Sequence, residues 1–114
     1  MAFTPLNSTH PIVVFTFSGA ATLNLGVDVL GLADPNTSGQ GRGLVGQCAW
    51  FGVQNQTGAD LLLTQSASAT KGMLILDGQN YRPEPDTDGN GYDMFEYWLV
   101  SAAAGDVCIE RKIK

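Results

Sequence analysis

The stretch Ile12-Val13-Val14-Phe15-Thr16-Phe17-Ser18-Gly19-Ala20-Ala21-Thr22-Leu23-Asn24-Leu25-Gly26-Val27-Asp28-Val29 decides how the chain is read. Its first six residues are β-branched or aromatic, the composition of a strand. Ser18-Gly19-Ala20 supplies a turn. Beyond it Leu23, Leu25, Val27 and Val29 alternate with Thr22, Asn24, Gly26 and Asp28, a period of two that predicts a half-buried strand over 22–29. Strand, turn, strand within eighteen residues is the local grammar of an antiparallel β-protein.

The same grammar runs on towards the C-terminus. An apolar run over 44–54 holds Cys48, Trp50, Phe51 and Val53. Asn55-Gln56-Thr57-Gly58 reads as a hairpin-like turn, with Leu61, Leu62 and Leu63 on the returning strand over 59–65. A small polar connection over 66–72 leads to the short buried strand Met73-Leu74-Ile75-Leu76 and the Asp77-Gly78 turn. The aromatic segment 92–101 follows a polar, proline-broken stretch. Ala102-Ala103-Ala104-Gly105-Asp106 then turns the chain into Val107-Cys108-Ile109-Glu110-Arg111-Lys112. We therefore expect an all-β chain: an antiparallel β-sandwich or jelly-roll-like small barrel of about seven or eight strands, with little or no helix. Residues 1–11 read as an extended arm and 12–114 as a single domain.

Composition agrees. The chain has 114 residues, 44% hydrophobic and 15% charged, where an average soluble domain carries about 25% charge. Lys and Glu, which ordinarily coat exposed helices, are scarce, and the 14 glycines point to many turns. A net charge of −5 with only six basic residues argues against binding nucleic acid, which needs Lys and Arg to replace counterions. No run of about 18 apolar residues offers a membrane span, and 1–5 lack a secretory signal pattern. The expectation is a soluble chain made in a cytoplasm. In such a reducing compartment Cys48 and Cys108 read as small core residues rather than a disulfide.

Catalytic and metal-binding chemistry is thinly represented. The single histidine, His10, stands beside Pro11 in the arm, with no nucleophile motif near it. One His and two distant Cys do not make a zinc tetrahedron. A carboxylate pair drawn from Asp86, Asp88, Asp93 and Glu96 would need a cleft that a domain of this size hardly accommodates. The expectation is no enzyme and no obligatory cofactor. Asp86-Thr87-Asp88-Gly89-Asn90-Gly91 matches the first six positions of a calcium loop, with Asp86, Asp88 and Asn90 as alternate oxygen donors. Its twelfth position is Tyr97 where the full loop has Glu, so an acidic hairpin tip built on the turn-forming side chains of Asp and Asn stands beside calcium. Tyr92, Phe95, Tyr97 and Trp98 offer either core or a sugar-stacking platform, as strand alternation puts Tyr92, Met94, Glu96 and Trp98 on one face. The Gly/Ser/Pro loop over 33–43 lacks the GK[ST] of a phosphate loop and reads as a flexible loop or one ordered by a partner chain.

The second half also resembles a family. Phe51-Gly52-Val53-Gln54-Asn55-Gln56-Thr57-Gly58-Ala59-Asp60-Leu61-Leu62-Leu63, then 73–78, then Tyr97-Trp98-Leu99-Val100-Ser101-Ala102-Ala103-Ala104-Gly105, then 106–110, is similar to the strand-and-turn order of small β-sandwich proteins in tailed-bacteriophage virions. The likeness spans 48–112. Asp77-Gly78 stands where those proteins have Pro-Gly, and the insertion over 83–91 is longer. The resemblance implies a non-enzymatic virion component: a capsid decoration or cement protein, or a head-fibre or tail accessory piece. It would assemble in the host cytoplasm as a homo-oligomer, a trimer or dimer, on the major capsid protein or other virion proteins. Phe3, Leu6, Ile12 and the loop residues Asp34, Asn36 and Arg42 are the contacts this reading singles out. The other reading is a calcium-assisted carbohydrate- or receptor-binding sandwich using Asp86, Asp88 and Asn90.

Overall fold

A computed structural model describes residues 10–33, 46–68, 70–83 and 91–113. Among them nine strands form two antiparallel sheets: β1 (Ile12–Phe17), β2 (Ala21–Asn24), β3 (Gln47–Gln56), β4 (Leu61–Thr64), β5 (Met73–Ile75), β6 (Asn80–Tyr81), β7 (Tyr92–Asp93), β8 (Trp98–Ser101) and β9 (Gly105–Ile113). Sheet A runs β1-β9-β3-β6, with β7 also paired to β3, and sheet B runs β2-β8-β4-β5. The only helical elements there are a π turn over Leu25–Val29 and a 3-10 turn over Met94–Glu96. The all-β sandwich expected from alternation and turn spacing is the architecture observed.

Alternate side chains of both sheets meet in one core. Phe17, Phe51, Val53, Val107 and Ile109 come from sheet A, and Leu61, Leu63, Ile75 and Leu99 from sheet B. Phe51 is fully buried at the centre of β3, a position worth about 2–3 kcal/mol in transfer alone. Arg111, in register with Phe51, also turns inward and is only 8% exposed.

Turn signals located the reversals but not their destinations. The sequence reads 55–58 as a hairpin with a returning neighbour, yet β3 lies in sheet A and β4 in sheet B. Residues 57–60 form a corner between sheets, as do 18–20, 76–79 and 102–104. The registers place all four at one end, because Phe17 pairs with Gly105, Gln56 with Asp106, and both Ala21 and Leu61 with Ser101. Asn55 ties that end together from a fully buried position. Its Nδ2 donates to Ala59 O (2.7 Å) and Ile75 O (2.8 Å), and its Oδ1 accepts from Thr57 N (2.9 Å) and Thr57 Oγ1 (2.7 Å). Gly105 passes so close that a Cβ there would sit 2.6 Å from the Thr57 Cα, at a backbone φ of +150°.

The strand expected over 22–29 stops at Asn24. Asn24 Oδ1 accepts from Val27 N (2.9 Å) and Asp28 Oδ2 from Asn24 N (2.8 Å), a reciprocal cap that opens a turn instead. Leu25 and Val29 become buried while Val27 faces out, so apolar residues at alternate positions also served a helical turn. Gly26 makes this fit, since a Cβ there would lie 2.8 Å from Phe95 Cδ1. The strand expected over 92–101 is likewise broken by Met94–Glu96, whose Met94 and Phe95 are both buried. The Asp93 carboxylate caps that turn, accepting from Phe95 N (3.0 Å).

Candidate functional site

Side chains pointing away from the core define two outer faces. On sheet A the rows run Ile12–Glu110–Gly52, then Val14–Cys108–Gln54–Asn80, then Thr16–Asp106–Gln56. Gly52 leaves a trough over the middle of the sheet, and Ile12, Gln54, Asn80, Arg82, Cys108 and Glu110 line the resulting cavity of about 250 Å³. The Glu110 carboxylate lies in it as a bridge. One oxygen pairs with Arg82 Nη2, and the other is 3.4 Å from His10 Nε2. The Arg82 guanidinium sits 4.3 Å from the Trp50 ring centroid, and the His10 ring meets the same indole edge-on at 4.9 Å. Alternation from the buried Phe51 turns Trp50 outward into this cluster, and the bulge between Cys48 and Trp50 lets Cys48 face the core again.

Arg82 holds the Glu110 carboxyl below the usual glutamate range, with the His10 hydrogen bond acting in the same direction against the opposing effect of burial. The four side chains contact one another, Glu110 through hydrogen bonds to Arg82 and His10 and Trp50 through its ring. Cys108 shares the trough, but no hydrogen bond joins it to His10 among the described residues. Chemically the cluster is a clasp that fastens the chain at His10 and the end of β6 to β9 and β3. Pro11 O, accepting from Arg111 N (3.3 Å), adds a main-chain tie.

Sheet B presents a different outer face. Leu62 stands between Val100 and Leu74 in register, and Thr22 extends the row beyond Val100. Trp98 occupies the next outward position of β8, between Asn24 and Thr64. These seven outward positions include no Asp, Glu, Lys or Arg. Leu62, Trp98 and Val100 are half-buried and Leu74 is 51% exposed.

Of the contact residues that the resemblance singled out, only Ile12 lies among the described residues. It is 64% exposed beside Glu110 on the outer face of sheet A. Phe3, Leu6, Asp34, Asn36 and Arg42 lie outside the described residues, as do Asp86, Asp88 and Asn90 of the calcium pattern. Among the described residues no three His, Cys, Asp or Glu side chains come together as a metal-holding group. The aromatic platform is not formed as drawn. Tyr92 and Tyr97 turn onto Phe51, with ring centroids 5.6 and 5.0 Å away, Phe95 is buried, and Trp98 alone reaches an outer face.

The cysteines divide. Cys48 is core, its thiol pushed up to about 12 by burial against the opposing pull of Arg111. Cys108, expected in the core too, sits on the outer face of sheet A, because its alternation partners Val107 and Ile109 take the inward positions. Cys48 pairs with Ile113 and Cys108 with Gln54, six residues apart along β3, so the two thiols are free and cannot bridge. The clasp was missed by sequence reading. The signal available was the outward alternation of Asp106, Cys108, Glu110 and Lys112 in a chain with only three glutamates.

The described residues thus make a two-sheet antiparallel sandwich with one clasped, charged outer face and one uncharged outer face. No family model, curated protein or solved structure matches the chain. Among the described residues no helix is long and apolar enough to cross a membrane.

Proposed function

We propose that this chain is a non-enzymatic structural subunit of a tailed-phage virion, a decoration or cement protein that joins neighbouring major capsid protein subunits. The observation that carries the reading is the uncharged outer face of sheet B, with Val100, Leu62 and Leu74 in one cross-strand row. An apolar face gains about 25 cal/mol per Å² on docking, and it carries no ions whose desolvation would offset that gain. The resemblance of residues 48–112 to small virion sandwiches points the same way. Many copies on a repeating surface add up: each modest contact contributes to holding the shell against internal pressure. The protein would act where heads are assembled, in the host cytoplasm, and remain in the particle.

The test is the composition of particles purified from cells that make the protein. Mass spectrometry should find the chain in many copies per particle. The Leu62→Glu, Val100→Lys double variant should fold, by its circular dichroism, yet be lost from particles. Particles that never contain the wild-type chain would overturn the proposal.

A further inference from the structure

Each sheet has two edges, with β6 and β7 sharing one edge of sheet A. Four of the five edge strands run into a feature that discourages addition of another strand, β7 into the capped turn over Met94–Glu96. β1 follows Pro11, β2 ends in a capped turn, and β6 is followed by Arg82-Pro83. β5 differs. It closes sheet B with Met73, Leu74 and Leu76 exposed at 48%, 51% and 43%, while Ile75 faces the core. No charge, proline or glycine interrupts Met73-Leu74-Ile75-Leu76. The charges stand outside it, Lys71 three residues before Leu74 and Asp77 three residues after.

We infer that the occupant of this edge is β5 of a second copy of the chain, paired antiparallel about a two-fold axis at Leu74. In that register Leu74 faces itself, Met73 faces Ile75, Gly72 faces Leu76, and Lys71 faces Asp77 of the second copy, twice. Both charged side chains are exposed, and Lys71 forms no ion pair among the described residues. Asp77 uses Oδ1 to accept from Gly58 N (2.9 Å) and keeps a second oxygen for the lysine. A slip of two residues separates the charges, and a slip of one sets core-facing against outward-facing side chains, so this register is selected twice over. The joined sheet has eight strands, and the Val100–Leu62–Leu74 row continues through the axis into its copy. The inference goes beyond the docking reading and stands without it.

Sedimentation velocity on the full chain tests it. The wild type should show a concentration-dependent species of twice the monomer mass, and Leu74→Lys should be monomeric throughout. Lys71→Asp alone and Asp77→Lys alone should each dimerise at least about tenfold more weakly. An equimolar mixture of those two variants should recover wild-type association, because every facing pair is then opposite in sign. In a Cys108→Ser background Leu74→Cys should cross-link to itself under mild oxidation and Leu62→Cys should not, which decides the matter if Asp77→Lys fails to fold. A wild type monomeric to about 1 mM, a dimer indifferent to Leu74→Lys, or a mixture no tighter than its components would overturn the inference.

Discussion

Asn55 and Glu110 each gather several polar partners, yet they sit in opposite kinds of place. Asn55 is fully buried where four chain reversals converge, and its amide answers three main-chain groups, two in the 57–60 corner and one on β5. Glu110 is about a third exposed on an outer face, and its partners are long side chains that water serves equally well. Asn55 makes four side-chain hydrogen bonds and Glu110 two, yet the count is the lesser difference. Solvent access separates them, because a buried donor or acceptor that loses its partner has nothing to replace it, whereas Arg82 and His10 simply rehydrate.

The largest break in this comparison is Asn55→Ala, which strands Ile75 O and Thr57 N in the interior. We expect a loss of about 3 kcal/mol, or a melting temperature lower by roughly 12–20 °C in calorimetry, with Gln54→Ala as an exposed control that changes little. Arg111 sharpens the contrast from the other side. It is buried like Asn55, but its Nε has no hydrogen-bond partner, and burial disfavours its charged form. Arg111→Leu should therefore stabilise the fold, by about 1 kcal/mol in denaturant titration, where Asn55→Leu destabilises it.

Glu110→Gln should cost under about 1 kcal/mol, as suits a partly exposed pair. Its folded carboxyl titrates below the unfolded value of about 4.3, so its contribution is complete above that value and disappears as pH falls through the folded one. The wild-type minus variant difference should thus be flat at neutral pH and shrink in acid. The smallest expected effect involves no stability change. With an aromatic disulfide reagent at neutral pH the native chain should titrate one thiol, Cys108, and expose Cys48 only on denaturation.

These contrasts also mark what was legible in the sequence. β-branched and aromatic composition found β1, and turn signals found the corners, because both are local. Which sheet a strand joins is not local: 57–60 look like a hairpin loop whether β4 lies beside β3 or across from it. Leu23, Leu25, Val27 and Val29 misled for a related reason. Their alternation is shared by a strand and by a tight turn that buries Leu25 and Val29, and the deciding partner, Phe95, is about seventy residues away. The clasp was invisible because His10, Trp50, Arg82 and Glu110 come from four distant segments, which only the pairing of β3 with β9 and β6 brings together. The uncharged outer face of sheet B, by contrast, was foreshadowed by the low charge of the whole chain.

The position of β9 carries a consequence for the birth of the molecule. It lies between β1 and β3, pairing along six residues of the first and eight of the second. Sheet A is therefore an empty slot until the ribosome has released Gly105–Ile113, and β1, made first, must wait for a partner about a hundred residues downstream. Such wide separation between pairing segments favours slow folding. Closure of the sandwich is then a single late event, and a nascent chain stalled short of β9 would expose β1 and β3 side by side with nothing to zip them.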